Sequence, residues 1–110
     1  MSDLNLETRG ETQILRMTRA PVNALGPDML AQMDAIMDEM SAAPPRGGLV
    51  LSGLEKSFCA GIDTKALAGF SEAEKAAALS LIDKIMAKLY SLPIPTVAAV
   101  QGHAIGAGFI

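Results

Sequence analysis

The chain of 110 residues is long enough for one domain at most, and its 50% hydrophobic and 19% charged residues are typical of a globular protein with a substantial core. The net charge of −3 provides no basic surface for nucleic acid. A polar, acidic N-terminus and the lack of a long apolar run predict neither a secretion signal nor a membrane span, which favours a cytoplasmic protein. The single cysteine, Cys59, excludes an internal disulfide and a cysteine-cluster metal site, and we expect no bound metal.

The first half of the chain predicts a hairpin followed by a helix. Short apolar stretches alternate with polar residues over 3–18 around a turn at Gly10-Glu11, as in a β-hairpin. After the segment RAPVNAL, Pro27 is suited to the first turn of a helix, which Pro44-Pro45 ends. The apolar residues that recur at helical spacing are Met29, Leu30, Met33, Ile36, Met37 and Met40.

The second half predicts two more strands and another helix. A short buried strand is expected at 49–51, and the segment SFCAGID after it is expected to be a loop. Ser71 and Glu74 have capping-box spacing before a helix over about 72–91. The run TVAAV at 96–100 predicts a strand that is buried on both faces. This order favours an α/β fold with the later strands parallel. One face of the second helix would consist of Leu79, Ile82, Ile85, Met86 and Leu89.

Two glycine-containing segments follow the two clearest strands, CAGID at 59–63 and GHAIGAG at 102–108. The carboxyl edge of an open α/β sheet is the usual ligand site, and N–H groups at a helix start favour negative charge. Two such groups that converge could stabilise an oxyanion. Tight strand-to-helix turns would equally explain the glycines.

The GHAIGAG loop also fits a dinucleotide-binding pattern, so an NAD(P)-binding oxidoreductase is an alternative. Such a loop normally lies near the N-terminus, and an acidic ribose partner follows roughly 20 residues later. Here about a hundred residues precede the loop. Nucleotide binding is therefore the weaker interpretation of this segment.

The order of RAPVNAL, a methionine-rich helix, GLVLSGLEKSFCAGIDTKAL and LYSLPIPTVAAVQGHAIGAG resembles the crotonase family, which includes enoyl-CoA hydratases and isomerases. The resemblance extends from about residue 4 to 110. It implies a ββα spiral core, a role in fatty acid metabolism, a trimer-based homo-oligomer of the full-length protein, and no cofactor besides the coenzyme A of the thioester substrate. Residues 1–110 are then expected to be the N-terminal portion of a single crotonase-like domain, truncated before its C-terminal half.

The resemblance assigns the catalytic role to backbone groups. Two N–H groups would hold the thioester carbonyl in an oxyanion hole and stabilise an enolate-like intermediate. The first belongs to Ile62, which follows Gly61, and the second to Ala107, which follows Gly106 and stands where many relatives have glycine. Gly61 and Gly106 are accordingly expected at the substrate.

Three other positions would contact the substrate by the same resemblance. Ala60 would approach the adenine end of coenzyme A, and Lys65 matches a position that meets its phosphates. Asp63 would touch the substrate, although it would equally well cap the short helix TKAL. The family often has a basic residue where this chain has Ala20, although Arg19 adjoins it.

The family's first catalytic glutamate corresponds to Ile110, which cannot transfer a proton. The second would lie beyond residue 110. Isomerase-like chemistry with one carboxylate is therefore favoured over a two-glutamate hydratase. We expect the general base beyond residue 110 and little activity from the 110-residue chain alone. A non-catalytic fragment that packs against partners through exposed apolar surface is a further alternative.

Overall fold

The computed structural model describes residues 3–110 and has an α/β architecture. Three times along the chain, a strand of the main sheet is followed by one or two short strands and then by a helical segment. This succession is the ββα order expected from the sequence. The elements are β1 (Leu4–Arg9), β2 (Thr12–Met17), β3 (Ala24–Leu25), α1 (Pro27–Ala42), β4 (Gly48–Ser52), β5 (Ser57–Cys59), β6 (Gly61–Ile62), α2 (Thr64–Ala68), α3 (Glu72–Ser91), β7 (Thr96–Ala99), β8 (His103–Ala104) and a 3₁₀ turn (Gly106–Gly108).

The main sheet has the strand order β1-β2-β4-β7. β1 and β2 form the predicted antiparallel hairpin, while β2, β4 and β7 are parallel to their neighbours, as predicted. Two small parallel pairs, β3-β6 and β5-β8, are built from the segments that follow the carboxyl ends of these three strands. The glycine-containing segments are thereby brought to one edge of the fold.

Both long helices begin as predicted. α1 has Pro27 in its first turn and ends before Pro44-Pro45. At the start of α3, the Ser71 hydroxyl accepts the Glu74 N–H at 3.1 Å, and the Glu74 carboxylate accepts the Ser71 N–H at 2.9 Å. This reciprocal arrangement is the predicted capping box.

α1 and α3 pack against each other over the core. The predicted methionine and leucine stripe of α1 is buried, apart from the partly buried Ile36. Where the helices meet, the Lys88 ammonium lies 2.6 Å from Asp34 and 2.8 Å from Asp38. One cation of α3 therefore bridges two carboxylates of α1. The core residues are Leu4, Leu15, Met17, Leu25, Met29, Leu30, Met33, Met37, Met40, Leu49, Phe58, Cys59, Ile82, Ile85 and Leu92.

Two burial predictions are wrong. Leu79 is 53% exposed because the buried residues of α3 begin only at Ile82. β7, an edge strand that pairs only with β4 within residues 3–110, is exposed along its length because neither long helix packs closely over it. An apolar run indicates a strand, but it does not reveal whether other elements cover the faces of that strand.

The prediction that SFCAGID forms a loop is also wrong, since this segment contains β5 and β6. These strands have only three and two residues, and they pair with β8 and β3. Such short strands form only through pairing with partners that are distant in the sequence.

Within the described range, no helix combines the length and apolar character that a bilayer crossing requires.

We predict that Lys88→Gln lowers the free energy of unfolding more than Lys84→Gln. Hydrogen bonding to Asp34 and then to Asp38 raises the pKa of Lys88, so the folded state favours the charged ammonium. This stabilisation is present below the ordinary lysine pKa and is lost as pH rises through the raised, folded-state pKa. Urea unfolding at neutral to strongly alkaline pH measures this stabilisation and its loss.

The matched control, Lys84, is exposed on the same helix, and no ion pair is seen for it among residues 3–110. The gap in unfolding midpoint between the native chain and Lys88→Gln should narrow at alkaline pH. Equal midpoints for the two variants at neutral pH would contradict the stabilising role of the bridge.

Candidate functional site

A cleft with a volume of about 390 Å³ lies where the segments after β2 and β5 meet. Four of the predicted site residues, Ala60, Ile62, Asp63 and Lys65, line this cleft together. The facing wall comes from the RAPVNAL segment. The remaining lining residues are Arg19, Ala20, Pro21, Val22, Ala24 and Thr64.

The backbone of β6 is fixed by its pairing with β3. The Ala60 N–H donates to the Val22 carbonyl at 3.1 Å, and the Asp63 N–H donates to the Leu25 carbonyl at 3.0 Å. Successive N–H groups of a strand point to opposite sides of it. The N–H of Ile62, which directly precedes Asp63, is therefore directed away from β3.

The second predicted segment is the 3₁₀ turn. The Gly108 N–H donates to the Ile105 carbonyl and the Phe109 N–H to the Gly106 carbonyl, both at 2.9 Å. The first N–H groups of a helical segment have no acceptor within it. Among residues 3–110, no acceptor is seen for the N–H of Ala107.

The two segments are in direct contact. A Cβ atom on Gly61, which has φ +84°, would lie 2.8 Å from the Ile105 carbonyl oxygen and 3.3 Å from the Ala107 nitrogen. A Cβ atom on Gly108 would overlap with the carbonyl group of Cys59. Only glycine permits this approach. The fold thus brings Ile62 and Ala107 to neighbouring positions, with Gly61 and Gly106 between them.

A second cavity, of about 320 Å³, is lined by Ala107 together with Cys59, Phe109 and Ile110. Its remaining lining residues are apolar and come mainly from the sheet, α1 and α3. Burial raises the pKa of the Cys59 thiol, which therefore stays protonated near neutral pH. No side chain that lines this cavity is suited to act as a general base.

Asp63 has two roles in the structure. Its Oδ1 atom accepts the N–H groups of Lys65 and Ala66, both at 3.1 Å, which confirms the predicted cap of α2. Its Oδ2 atom lies 2.8 Å from Nη2 of Arg19. The hydrogen bond from Ala66, followed by that from Arg19, lowers the pKa of Asp63. Sequence reasoning missed this ion pair, because its partners are far apart in the chain.

Asn23 is fully buried at the centre of the loops that build the cleft. Its side-chain amide donates to the carbonyls of Met17 at 3.1 Å and Phe58 at 3.0 Å, and its Oδ1 atom accepts the Arg19 N–H at 2.7 Å. Its φ of 57° lies in the left-handed region, which asparagine adopts more readily than most residues. The sequence signal for this role is a polar residue between apolar neighbours in PVNAL.

No group of three His, Cys, Asp or Glu side chains within residues 3–110 is arranged to hold a metal ion. His103 lies on the short strand β8 and is exposed. Its backbone N–H donates to the Lys56 carbonyl at 3.2 Å. The polar groups that line the cleft include the charged side chains of Arg19, Asp63 and Lys65.

We predict that Asn23→Ala lowers the free energy of unfolding by about 2–4 kcal/mol, because buried carbonyl groups lose their donors. Alanine is also strained at the positive φ of this position. The control Asn5→Ala, on the exposed face of β1, should change it by less than about 0.5 kcal/mol. Urea unfolding measures both values, and a similar small effect of the two substitutions would contradict the prediction.

The chain is similar in sequence to known proteins. A family model described as enoyl-CoA hydratase/isomerase matches residues 9–110. The chain is 40% identical over 87 residues to a protein named probable enoyl-CoA hydratase from Mycobacterium tuberculosis, covering 78% of this chain and 34% of that protein. It is 34% identical over 104 residues to an enoyl-CoA isomerase/hydratase from Penicillium crustosum, covering 90% of this chain and 12% of that protein.

The fold is shared with solved structures as well. The crystal structure of an enoyl-CoA hydratase from Bacillus anthracis matches with a TM-score of 0.90 and 28% identity, covering 97% of this chain and 43% of that one. The chain thus spans less than half the length of the relatives it matches. The likeness confirms the crotonase-like α/β fold expected from the sequence motifs. By sequence and by structure, the chain belongs to the enoyl-CoA hydratase/isomerase family.

Proposed function

We propose that this chain supplies the thioester-binding half of an acyl-CoA enzyme, in which the N–H groups of Ile62 and Ala107 polarise the thioester carbonyl. The observation that carries the proposal is the contact between Gly61 and the segment Ile105–Ala107. This contact supports a short distance between the N–H group of Ile62, which the alternation along β6 directs away from β3, and that of Ala107, for which no acceptor is seen among residues 3–110. In a site that excludes water, one such donor can lower a barrier by about 3–4 kcal/mol.

Coenzyme A would lie along the cleft that Ile62 lines. The Lys65 side chain is exposed at the cleft, where its ammonium group can meet phosphate oxygens. Ala60 offers a small side chain beside which the adenine end can pack. The N-terminus of α2 is already occupied by the carboxylate of Asp63, so Lys65 is the better candidate for the phosphates.

The family resemblance of the sequence favours isomerase-like chemistry over a two-glutamate hydratase. Ile110 occupies the position of the first glutamate and lines an apolar cavity. Among residues 3–110, Asp63 is the only carboxylate that lines the cleft. It is held by Arg19 and by α2, and its lowered pKa makes it a weak base. The proton-transferring group would therefore come from outside residues 1–110. The expected trimer-based assembly and cytoplasmic location stay predictions.

We predict that the chain binds a short-chain acyl-CoA in a calorimetric titration and that Lys65→Glu weakens this binding about tenfold, because charge reversal repels the phosphates. The matched control is Lys84→Glu, on α3 and away from the cleft, which should bind as the native chain does. NADH and NADPH should give no heat of binding. If they bind and acyl-CoA does not, the dinucleotide interpretation of GHAIGAG is correct instead.

We predict that the 110-residue chain gives no turnover of a 2-enoyl- or 3-enoyl-CoA above the rate in buffer, because no described residue at the site is a competent general base. Chromatography of the thioester products measures this, with a two-glutamate hydratase as the positive control. Measurable hydration or isomerisation by the chain would contradict the assignment of the base to another part of the protein.

A second candidate function is a non-catalytic chain that packs against a partner. It is supported by the exposed fractions of Tyr90, Phe109 and Ile110, which are 92%, 80% and 88%. Phe109 and Ile110 are adjacent in the chain, and neighbouring large exposed apolar side chains can mark an interaction surface. Concentration-dependent association in light scattering, together with no heat of binding for acyl-CoA, would favour this function over the enzymatic one.

A further inference from the structure

We propose that Arg19 and Asp63 form a positioning pair that holds the N–H of Ile62 in the direction that thioester binding requires. The proposal rests on the proposed function, since Ile62 is one of the two donors assigned there. Neither side chain of the pair would touch the thioester carbonyl. Both would act through the backbone of β3 and β6.

The Arg19 side chain reaches both strands of the β3-β6 pair. Its Nη1 atom donates to the Ala24 carbonyl at 2.7 Å, and Ala24 is paired with Gly61 in the ladder. Its Nη2 atom lies 2.8 Å from Asp63, which directly follows β6. One planar guanidinium group therefore bonds to β3 and to the end of β6 at the same time. A lysine ammonium has no such fork.

The other hydrogen-bonding groups of Asp63 are also engaged. Its N–H donates to the Leu25 carbonyl at 3.0 Å, and its carbonyl accepts the Leu67 N–H at 3.1 Å. Its second carboxylate oxygen caps α2. The residue immediately after Ile62 is thus fixed by β3, by α2 and by Arg19. A rotation of the peptide at Ile62 would have to disturb several of these bonds.

The guanidinium of Arg19 lies so close to Gly26 that this position has no room for a side chain. A Cβ atom on Gly26, the residue before α1, would lie 2.8 Å from Nη1 of Arg19. The side chains of Arg19 and Asp63 are 33% and 14% exposed, so water screens their attraction less than it screens a pair on the open surface. The Arg19 N–H is held in turn by the buried Asn23.

This geometry also assigns Arg19 a role different from that of the basic residue that the family often has at the position of Ala20. Two nitrogen atoms of the guanidinium already bond to protein acceptors. Arg19 lines the cleft but is committed to Asp63. We therefore expect loss of Arg19 to change how the thioester carbonyl is held, and to leave the binding of the phosphates largely intact.

The test uses a short-chain acyl-CoA with ¹³C at the thioester carbonyl, whose infrared band moves to lower frequency when hydrogen-bond donors polarise it. For the native chain we expect such a shift on binding. Arg19→Met and Asp63→Asn should each lose at least about half of the shift and bind acyl-CoA about tenfold more weakly. Free coenzyme A, which has no thioester carbonyl, should bind all three chains within about twofold.

Asp63→Asn keeps an oxygen that can cap α2, so it separates the ion pair from the helix cap. Lys88→Gln is the control, because it removes an ion bridge between α1 and α3 that does not border the cleft. The double variant of Arg19 and Asp63 should lose no more than either single variant, as expected for two partners of one interaction. Circular dichroism establishes that each chain is folded, and Arg19→Lys replaces Arg19→Met if the latter unfolds.

The outcomes separate the two proposals. A native shift that both variants retain in full would overturn the positioning role and leave the proposed function standing. Equal weakening of free coenzyme A and acyl-CoA would also overturn it, because the pair would then act on the cleft as a whole. If the native chain binds no acyl-CoA, the proposed function fails, and the positioning role fails with it.

Discussion

The buried amide of Asn23 is the interaction on which the rest of the site depends. A single side chain satisfies the carbonyl at the end of β2 and a carbonyl of β5, and it accepts the Arg19 N–H. A buried backbone group that lacks a partner costs free energy. The end of β2, the strand β5 and the backbone at Arg19 are therefore most stable in the arrangement that keeps all three bonded to Asn23. The left-handed backbone of Asn23 also directs the chain from the main sheet into β3. Without this junction, neither the β3-β6 pair nor the cleft beside it has a fixed geometry.

A series of contacts connects Asn23 to the backbone N–H groups that we assign to the thioester. β3 aligns β6, the Arg19–Asp63 pair holds the end of β6, and Gly61 allows the 3₁₀ turn to approach. Backbone donors carry no side-chain flexibility, and their direction is set by the fold. An alanine at position 107 is compatible with this role, since the side chain lies outside the hydrogen bond. Two charged residues of the cleft, Arg19 and Asp63, are bonded to each other and to backbone groups.

Structural charges and reactive charges are distinguishable here by their partners. Opposite charges and hydrogen-bond partners hold both the Asp63 carboxylate and the Lys88 ammonium. They lower the pKa of Asp63 and raise the pKa of Lys88, so that both side chains stay charged over a wider pH range. Lys65 is exposed in the cleft. Cys59 is buried, and the raised pKa of its thiol leaves it unreactive. Neither Asp63 nor Cys59 combines the access and the basicity that proton transfer needs.

The sequence by itself determined the hairpin, the two long helices with their start signals, the parallel order of the later strands and the family. These features are readable because periodicity, caps and ordered motifs are local properties of the chain. The family resemblance also predicted substrate-binding residues in CAGID, in GHAIGAG and at Lys65. In the structure, Ala60, Ile62, Asp63 and Lys65 line one cleft, and Ala107 lines another cavity. Only the tertiary structure decided that β7 is an exposed edge, that β5 and β6 are strands, and that Arg19 pairs with Asp63. Each of these features depends on a partner far away in the chain, and no local pattern encodes such a partner.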